Sequence, residues 1–455
     1  MRFLLWLLPS LLSAQTYDIV LQRGRVMDPE SGLDAVRNVG INGKKIVAIS
    51  ARTLRGKVEV DATGLVVAPG FIDLHQHGIN PENWRYKAMD GVTTALELEA
   101  GAYPLREWYA ALDGNALVNF GASASPIRVL MSLTGSPALP ATPEQQRAIQ
   151  KAVNDDLDAG ALGVGLLLEN TPKITREEVL NLFEIAAEKK RPVFVHLRKP
   201  GTEALASLQE VVADAAATGA ALHVMHISGT ASKRTPEALR IVKGARARGL
   251  DVSVEAYPYI AGGAGISSAL FDPGWQELRE ITYSDLLWVA TGERLTQESF
   301  ERYRKQRGDV VMFLNTEETV RTTIADPLVM IASDGGLNNG LGHPRGAGTY
   351  ARMLGKYVRE DKALSLLDAI RKSSLMPAQR LESMSPQMRQ KGRLKVGADA
   401  DISVFDAARV IDKATFEKPA QYSEGFRYVM VGGTFVVRDG KLQEGVSPGE
   451  AIRAR

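Results

Sequence analysis

Short apolar runs that end on a metal-binding or proton-carrying residue recur along this chain, and that recurrence constrains its fold more than any other feature. Pro192-Val193-Phe194-Val195 ends on His196, Leu222-His223-Val224-Met225 on His226, and Val329-Met330-Ile331-Ala332-Ser333 on Asp334. A further run, from Leu65 to Leu74, leads into the pair His75-Gln76-His77. Parallel strands covered on both faces are written as near-continuous apolar runs, and a parallel barrel carries its chemistry at the C-terminal ends of its strands. The pattern predicts a (β/α)8 barrel with a metal site at one rim.

The rest of the chain fits around such a barrel. Residues 16–64 alternate short β patterns (Asp18–Leu21, Asn38–Ile41, Ile46–Ile49, Val58–Val60) with turn residues such as Asn42-Gly43. β patterns return at Ile402–Phe405, Phe426–Val431 and Thr434–Val437, the last two joined by the hairpin signal Gly432-Gly433. Between these ends, strands alternate with helices. Thr142-Pro143-Glu144-Gln145 and Thr175-Arg176-Glu177-Glu178 are capping boxes that each open a helix, the first with Pro143 at its first helical position. The expected organisation is a small β-sandwich domain built from both chain ends, residues 15–65 plus 391–455, beside an α/β TIM-like barrel over residues 66–390.

Composition narrows the function by exclusion. The 455 residues are 45% hydrophobic and 24% charged with a formal net charge of +2, which gives no basic excess for nucleic acid. No stretch reaches the roughly 18 apolar residues of a membrane span, so a small-molecule substrate is expected. Met1-Arg2 followed by Phe3-Leu4-Leu5-Trp6-Leu7-Leu8 reads as a signal peptide over residues 1–14, cut after Ser13 or Ala14, and predicts an exported protein, periplasmic or secreted. The chain has no cysteine, so neither a disulfide nor a thiol ligand is available.

Two histidines separated by one residue at a strand end share a face, so His75 and His77 can bind one ion, and imidazole with carboxylate suits Zn2+. His196 and His226 are spaced as one β/α unit, which brings them to the same rim from neighbouring strands, where they suit a second ion. His223 is three positions from His226 and is expected on the other face of its strand, towards the helices, as a structural histidine. Asp334 can bind a metal through one oxygen and accept a proton from bound water through the other. In Thr93-Thr94-Ala95-Leu96-Glu97-Leu98-Glu99-Ala100, alternation is expected to turn Leu96 and Leu98 to the helices and both glutamates into the barrel, where a buried carboxylate needs a cation. Glu99, nearer the rim, is the expected metal ligand, with Glu97 one layer deeper. Arg198 and Arg345 are the candidates to hold a substrate carboxylate with their planar forks, with Tyr257 and His343 beside them.

Further motifs carry a resemblance. They are Val67-Ala68-Pro69-Gly70-Phe71-Ile72-Asp73, Gly91-Val92-Thr93-Thr94, Gly160-Ala161-Leu162-Gly163, Ala256-Tyr257-Pro258-Tyr259 and, most specific, His343-Pro344-Arg345-Gly346-Ala347-Gly348-Thr349-Tyr350-Ala351-Arg352-Met353-Leu354. Over nearly the whole chain the sequence resembles the amidohydrolase superfamily, and within it the D-aminoacylase (N-acyl-D-amino-acid deacylase) family. The resemblance implies a composite β domain, a site for one or two Zn2+ ions, and deacylation of an N-acyl-D-amino acid by metal-bound hydroxide.

Three departures from the family bear on the substrate. Ala100, with Glu99 beside it, stands where the family has a cysteine ligand; Ser228 stands where it has a lysine; and Lys199-Pro200 follows Arg198 where it has an acidic pair. The strand Gly163–Leu168 also lacks the lysine that elsewhere in the superfamily carries a bridging carbamate, which leaves Glu99 as the expected bridge. A dipeptidase, a cyclic-amide hydrolase and a non-catalytic binding protein on the same scaffold stay open as alternatives.

Overall fold

The computed structural model describes residues 16–455, and the leader expected over residues 1–14 lies outside them. Its centre is eight parallel strands: β1 (Phe71–Asp73), β2 (Val92–Ala102), β3 (Asn119–Ala124), β4 (Val164–Leu167), β5 (Val193–His196), β6 (Leu222–Val224), β7 (Val252–Ala256) and β8 (Val329–Ile331). They are hydrogen-bonded in that order. One side of each strand packs on helices: Val193, Val195, Val224, Val254 and Ile331 join Leu182, Phe183, Val211 and Val242. The other side fills the interior, where Leu74, Leu162, Phe194, Met225 and Met330 form a floor. This is the TIM-like arrangement expected from the apolar runs, and both capping boxes open their helices, Pro143–Asp158 and Arg176–Glu188.

Between β8 and β1 side chains close the barrel. Ser333 N and Oγ donate to the two oxygens of Asp73 at 2.9 and 2.6 Å, and Lys87 Nζ lies 2.8 Å from Asp73 and 2.7 Å from Ser333 Oγ. A buried ion pair offsets its desolvation only when further hydrogen bonds complete it, as here. Just above, His77 N donates to Gly335 O at 3.0 Å. The seam therefore ties the His75–His77 segment to the segment that carries Asp334.

Strands from both chain ends form one mixed nine-stranded sheet. Its core contains Leu21, Val39, Ile41, Val60, Ile402 and Met430. Val66–Pro69, expected at the start of the barrel, pairs instead with Thr16–Asp28 and with Ile402–Phe405 in this sheet. The last residues leave it again: Ile452 N donates to Phe120 O and Ala454 N to Gly160 O, at the N-terminal side of the barrel.

Between β7 and β8 the chain departs from a plain barrel. Ala261–Gly265, Leu286–Trp288, Glu293–Arg294 and Asp309–Phe313 form a separate antiparallel sheet, and Phe271, Trp275, Trp288 and Phe300 give this insertion a core of its own. Among the described residues, no helix is long and apolar enough to cross a membrane.

Candidate metal centre

His75, His77, Glu99 and Asp334 meet at the C-terminal mouth of the barrel. His75 Nε2 lies 3.3 Å from His77 Nε2, 3.3 Å from Glu99 Oε2 and 3.4 Å from Asp334 Oδ1. His77 Nε2 lies 3.4 Å from that Glu99 oxygen and 3.3 Å from that Asp334 oxygen. Five edges of the figure these four atoms make are thus 3.3–3.4 Å, and a regular tetrahedron of that edge has its centre about 2.0 Å from each corner, near the zinc–nitrogen and zinc–oxygen distance. Asp334 reaches this position with φ at +50°, a left-handed backbone uncommon for an aspartate.

Glu99 turns its other oxygen to a second set. Oε1 lies 3.0 Å from His196 Nδ1 and 2.8 Å from His226 Nε2, and those nitrogens are 3.1 Å apart. The same residue thus faces both groups of nitrogens, as a bridging ligand must. Its position depends on a bulge in β2. The register with β3 holds as far as Glu97–Ala122 and resumes at Ala102–Ala124, leaving Leu98–Gly101 opposite Ser123. The bulged backbone leans onto β4, where a Cβ at Gly165 would stand 2.3 Å from Glu99 O and 2.7 Å from Leu98 O.

The bulge and the short β1 change which way the neighbouring side chains point. Leu96 and Leu98 face the interior floor beside Phe194 and Met330, not the helices. Glu97 does not lie beneath Glu99. The His75–His77 segment runs alongside the middle of β2, with Gln76 N donating to Leu96 O, so Glu97 meets His77 Nδ1 from the side at 3.1 Å.

The other histidines also have their second nitrogens occupied: His75 Nδ1 lies 2.6 Å from Glu255 Oε1, His196 Nε2 3.1 Å from Glu169 Oε2, and His226 Nδ1 3.2 Å from Thr230 Oγ1. Such partners fix the tautomer and orientation of a ligating imidazole. The sequence reading missed Glu169, Glu255 and Thr230. Glu255 carries the signal that pointed to Glu97, a carboxylate within an apolar run. His223 lies in the barrel interior, not against the helices, with Nδ1 2.7 Å from Ser253 Oγ and Nε2 3.4 Å from Glu255 Oε2. β6 ends at Val224 and His226 has φ +28°, so alternation does not extend from one histidine to the other.

Beside the centre lies a pocket lined by His196, His226, Tyr257, Met312, Leu314, Arg279 and Arg345. Arg345 Nη1 is 2.9 Å from Asp334 Oδ2, and its guanidinium lies 4.6 Å from the centre of the Tyr257 ring. Burial pushes the Tyr257 hydroxyl up to about 12, so it stays a donor. His343 braces Arg345: its Nδ1 accepts from Arg345 N and its Nε2 sits 3.0 Å from Ala261 O, while burial and Arg345 hold it neutral. Arg198 is not among the pocket residues. Glu210 takes its Nε and Nη2, and Ile174 O accepts from its Nη1. The arginine that does enter from that side is Arg279, from the insertion.

Burial opposes charge on the imidazoles, yet the carboxylates outweigh it. Glu99, Asp334 and Glu255 raise His75 well above its usual value, Glu97, Asp334 and Glu99 do the same for His77, and Glu99 with Glu169 brings His196 to about 9. Of five buried carboxylates, Glu169 pairs with Arg279 and Asp334 with Arg345, while Glu97, Glu99 and Glu255 meet histidines. In the metal-free protein, protons on these imidazoles balance the buried negative excess, and metal cations at the same place would take over that role.

The family model for the amidohydrolase family matches residues 58–126 and 108–437. N-acyl-D-glutamate deacylase from Alcaligenes xylosoxydans xylosoxydans is 28% identical over 467 residues, covering 92% of this chain and 93% of the relative. D-aminoacylase from the same organism is 27% identical over 468 residues, covering 92% and 94%. Among solved structures, N-acyl-D-glutamate deacylase from Bordetella bronchiseptica, complexed with zinc and a phosphonate inhibitor that mimics the tetrahedral intermediate, has a TM-score of 0.84. That match has 25% identity and covers 97% of this chain and 100% of the other.

Proposed function

The chain belongs to the amidohydrolase family, and on that premise we propose that it is a zinc-dependent deacylase of N-acyl-D-amino acids. The observation that carries this reading is the pair of histidine nitrogens that lie 3.3–3.4 Å from each other and from one oxygen each of Glu99 and Asp334, beside a pocket that holds Arg345. The two deacylating relatives, each matched over more than nine-tenths of its length, support the substrate class.

When bound, zinc supplies a water of lowered pKa and polarises the scissile carbonyl. The chain's own residues do the rest. Arg345 holds the substrate carboxylate, with Tyr257 as a further donor. Burial favours the protonated form of Asp334, but Arg345, His75 and His77 prevail and hold it well below the usual carboxylate range, so it is ionised. As water oxygen attacks the amide carbon, Asp334 takes the proton and returns it to nitrogen while the C–N bond breaks, releasing the carboxylic acid and the free amino acid.

The test is turnover of zinc-loaded protein on N-acetyl-D-amino acids, their L-enantiomers, dipeptides and cyclic amides. Selective hydrolysis of the D-series is expected. Turnover of dipeptides or cyclic amides alone would overturn the substrate class while leaving the metal chemistry in place.

A further inference from the structure

His75, His77 and His226 turn Nε2 towards the centre; His196 alone turns Nδ1. What holds His196 that way comes from outside the barrel. Its Nε2 lies 3.1 Å from Glu169 Oε2, and Arg279 Nη2 donates to the other oxygen of Glu169 at 2.6 Å. Arg279 ends the short helix Trp275–Arg279 of the insertion and is buried.

The segment around Arg279 is locked onto the loops that follow β5 and β6. A Cβ at Gly201 would stand 1.9 Å from Leu278 O, so this approach requires glycine, and Gly201 has φ +56°. Glu280 pairs with Lys233 at 2.7 Å and with Arg234 at 2.5 Å. The segment that carries Arg279 thus touches both loops.

We infer that Arg279 is a positioning residue for the second cation, acting through Glu169 and His196. A fixed carboxylate that accepts a hydrogen bond from Nε2–H leaves the lone pair of His196 on Nδ1, facing Glu99 and His226. Without Arg279, Glu169 loses the donor that fixes its other oxygen and is free to turn away, and His196 loses the contact that sets its orientation. The insertion, which contributes no candidate ligand of its own, thus becomes part of the metal centre. The inference rests on the reading of Glu99, His196 and His226 as holders of a cation.

The test strips zinc from the wild type, R279M, R279K and E169Q, then titrates zinc against a chromophoric chelator to count ions and affinities, with a melting curve on each protein. The wild type is expected to bind two ions. R279M and E169Q should keep one at wild-type affinity and bind the other about tenfold to a hundredfold more weakly. R279K, which keeps the charge, should recover most of that loss. Two ions bound at wild-type affinity by R279M would overturn the inference, even if its KM rises, since Arg279 would then serve the substrate. Equal weakening of both ions in R279M and R279K would overturn it too, as general structural damage. A wild type that binds a single ion would instead refute the two-cation reading beneath it.

Discussion

At Glu99 the two oxygens of one carboxylate face two different pairs of nitrogens, so charge matters there more than volume. Glu99→Gln keeps the volume but removes the charge and turns one acceptor into a donor pointed at imidazoles. Bound zinc should fall from two ions to one or none, and turnover should collapse with it. Glu97→Gln still offers an oxygen to His77 Nδ1, so both ions should stay, about tenfold to a hundredfold more weakly held. Metal analysis and turnover of the two variants check this, and the reverse pattern would exchange their roles. Asp334→Asn keeps a metal-facing oxygen but loses the proton acceptor, so zinc content should hold while kcat falls about 100-fold or more. Near-normal kcat there would mean that another base does the work. At this scale the sequence reveals residues at strand ends and misses those whose neighbours decide their direction. Arg198 lies two residues past His196, yet Glu210 of the following helix captures it. Nothing in an apolar run announces that.

Among the elements, β4 is shaped by what it lacks. Gly165 leaves room for the bulge of β2, and a methyl group there would meet backbone at 2.3 Å, which cannot yield as a flexible side chain does. Gly165→Ala should push Glu99 away from one set of nitrogens, lowering zinc stoichiometry and melting temperature together. A variant that melts lower but still binds two ions would show that the bulge can shift without moving the carboxylate. Strands such as β5, β6 and β8 are legible as apolar runs because both their faces are covered, whereas β3, with Asn119, Gly121 and Ser123, does not read as one. The bulge is not legible, since alternation continues straight through Glu97 to Ala100 where the register breaks. The insertion is not legible for a related reason: Leu286–Trp288 and Val310–Phe313 are apolar runs like those of the barrel, and only their antiparallel partners set them apart.

For the molecule as a whole, metal binding and folding are linked through protons. In the metal-free protein the carboxylates overcome burial and raise His75, His77 and His196 above an ordinary histidine, His196 to about 9. A folded-state pKa above the unfolded value of about 6.5 gives stability that is fully present below that pH and lost as pH rises through the folded value. The metal-free protein should therefore lose stability between about pH 6.5 and 9. Zinc replaces those protons, so the loaded protein escapes that loss, and each site at about 100 times its Kd in free zinc adds roughly 2.7 kcal/mol. The gap in melting temperature between loaded and chelated protein should widen from pH 6.5 to 9 at fixed free zinc. Zinc binding near pH 7 should also release protons, measurable as a heat that depends on the buffer's ionisation enthalpy. A gap that stays constant across this range, with no proton release, would mean that the histidines are already neutral in the empty site and that the carboxylates answer to some other charge.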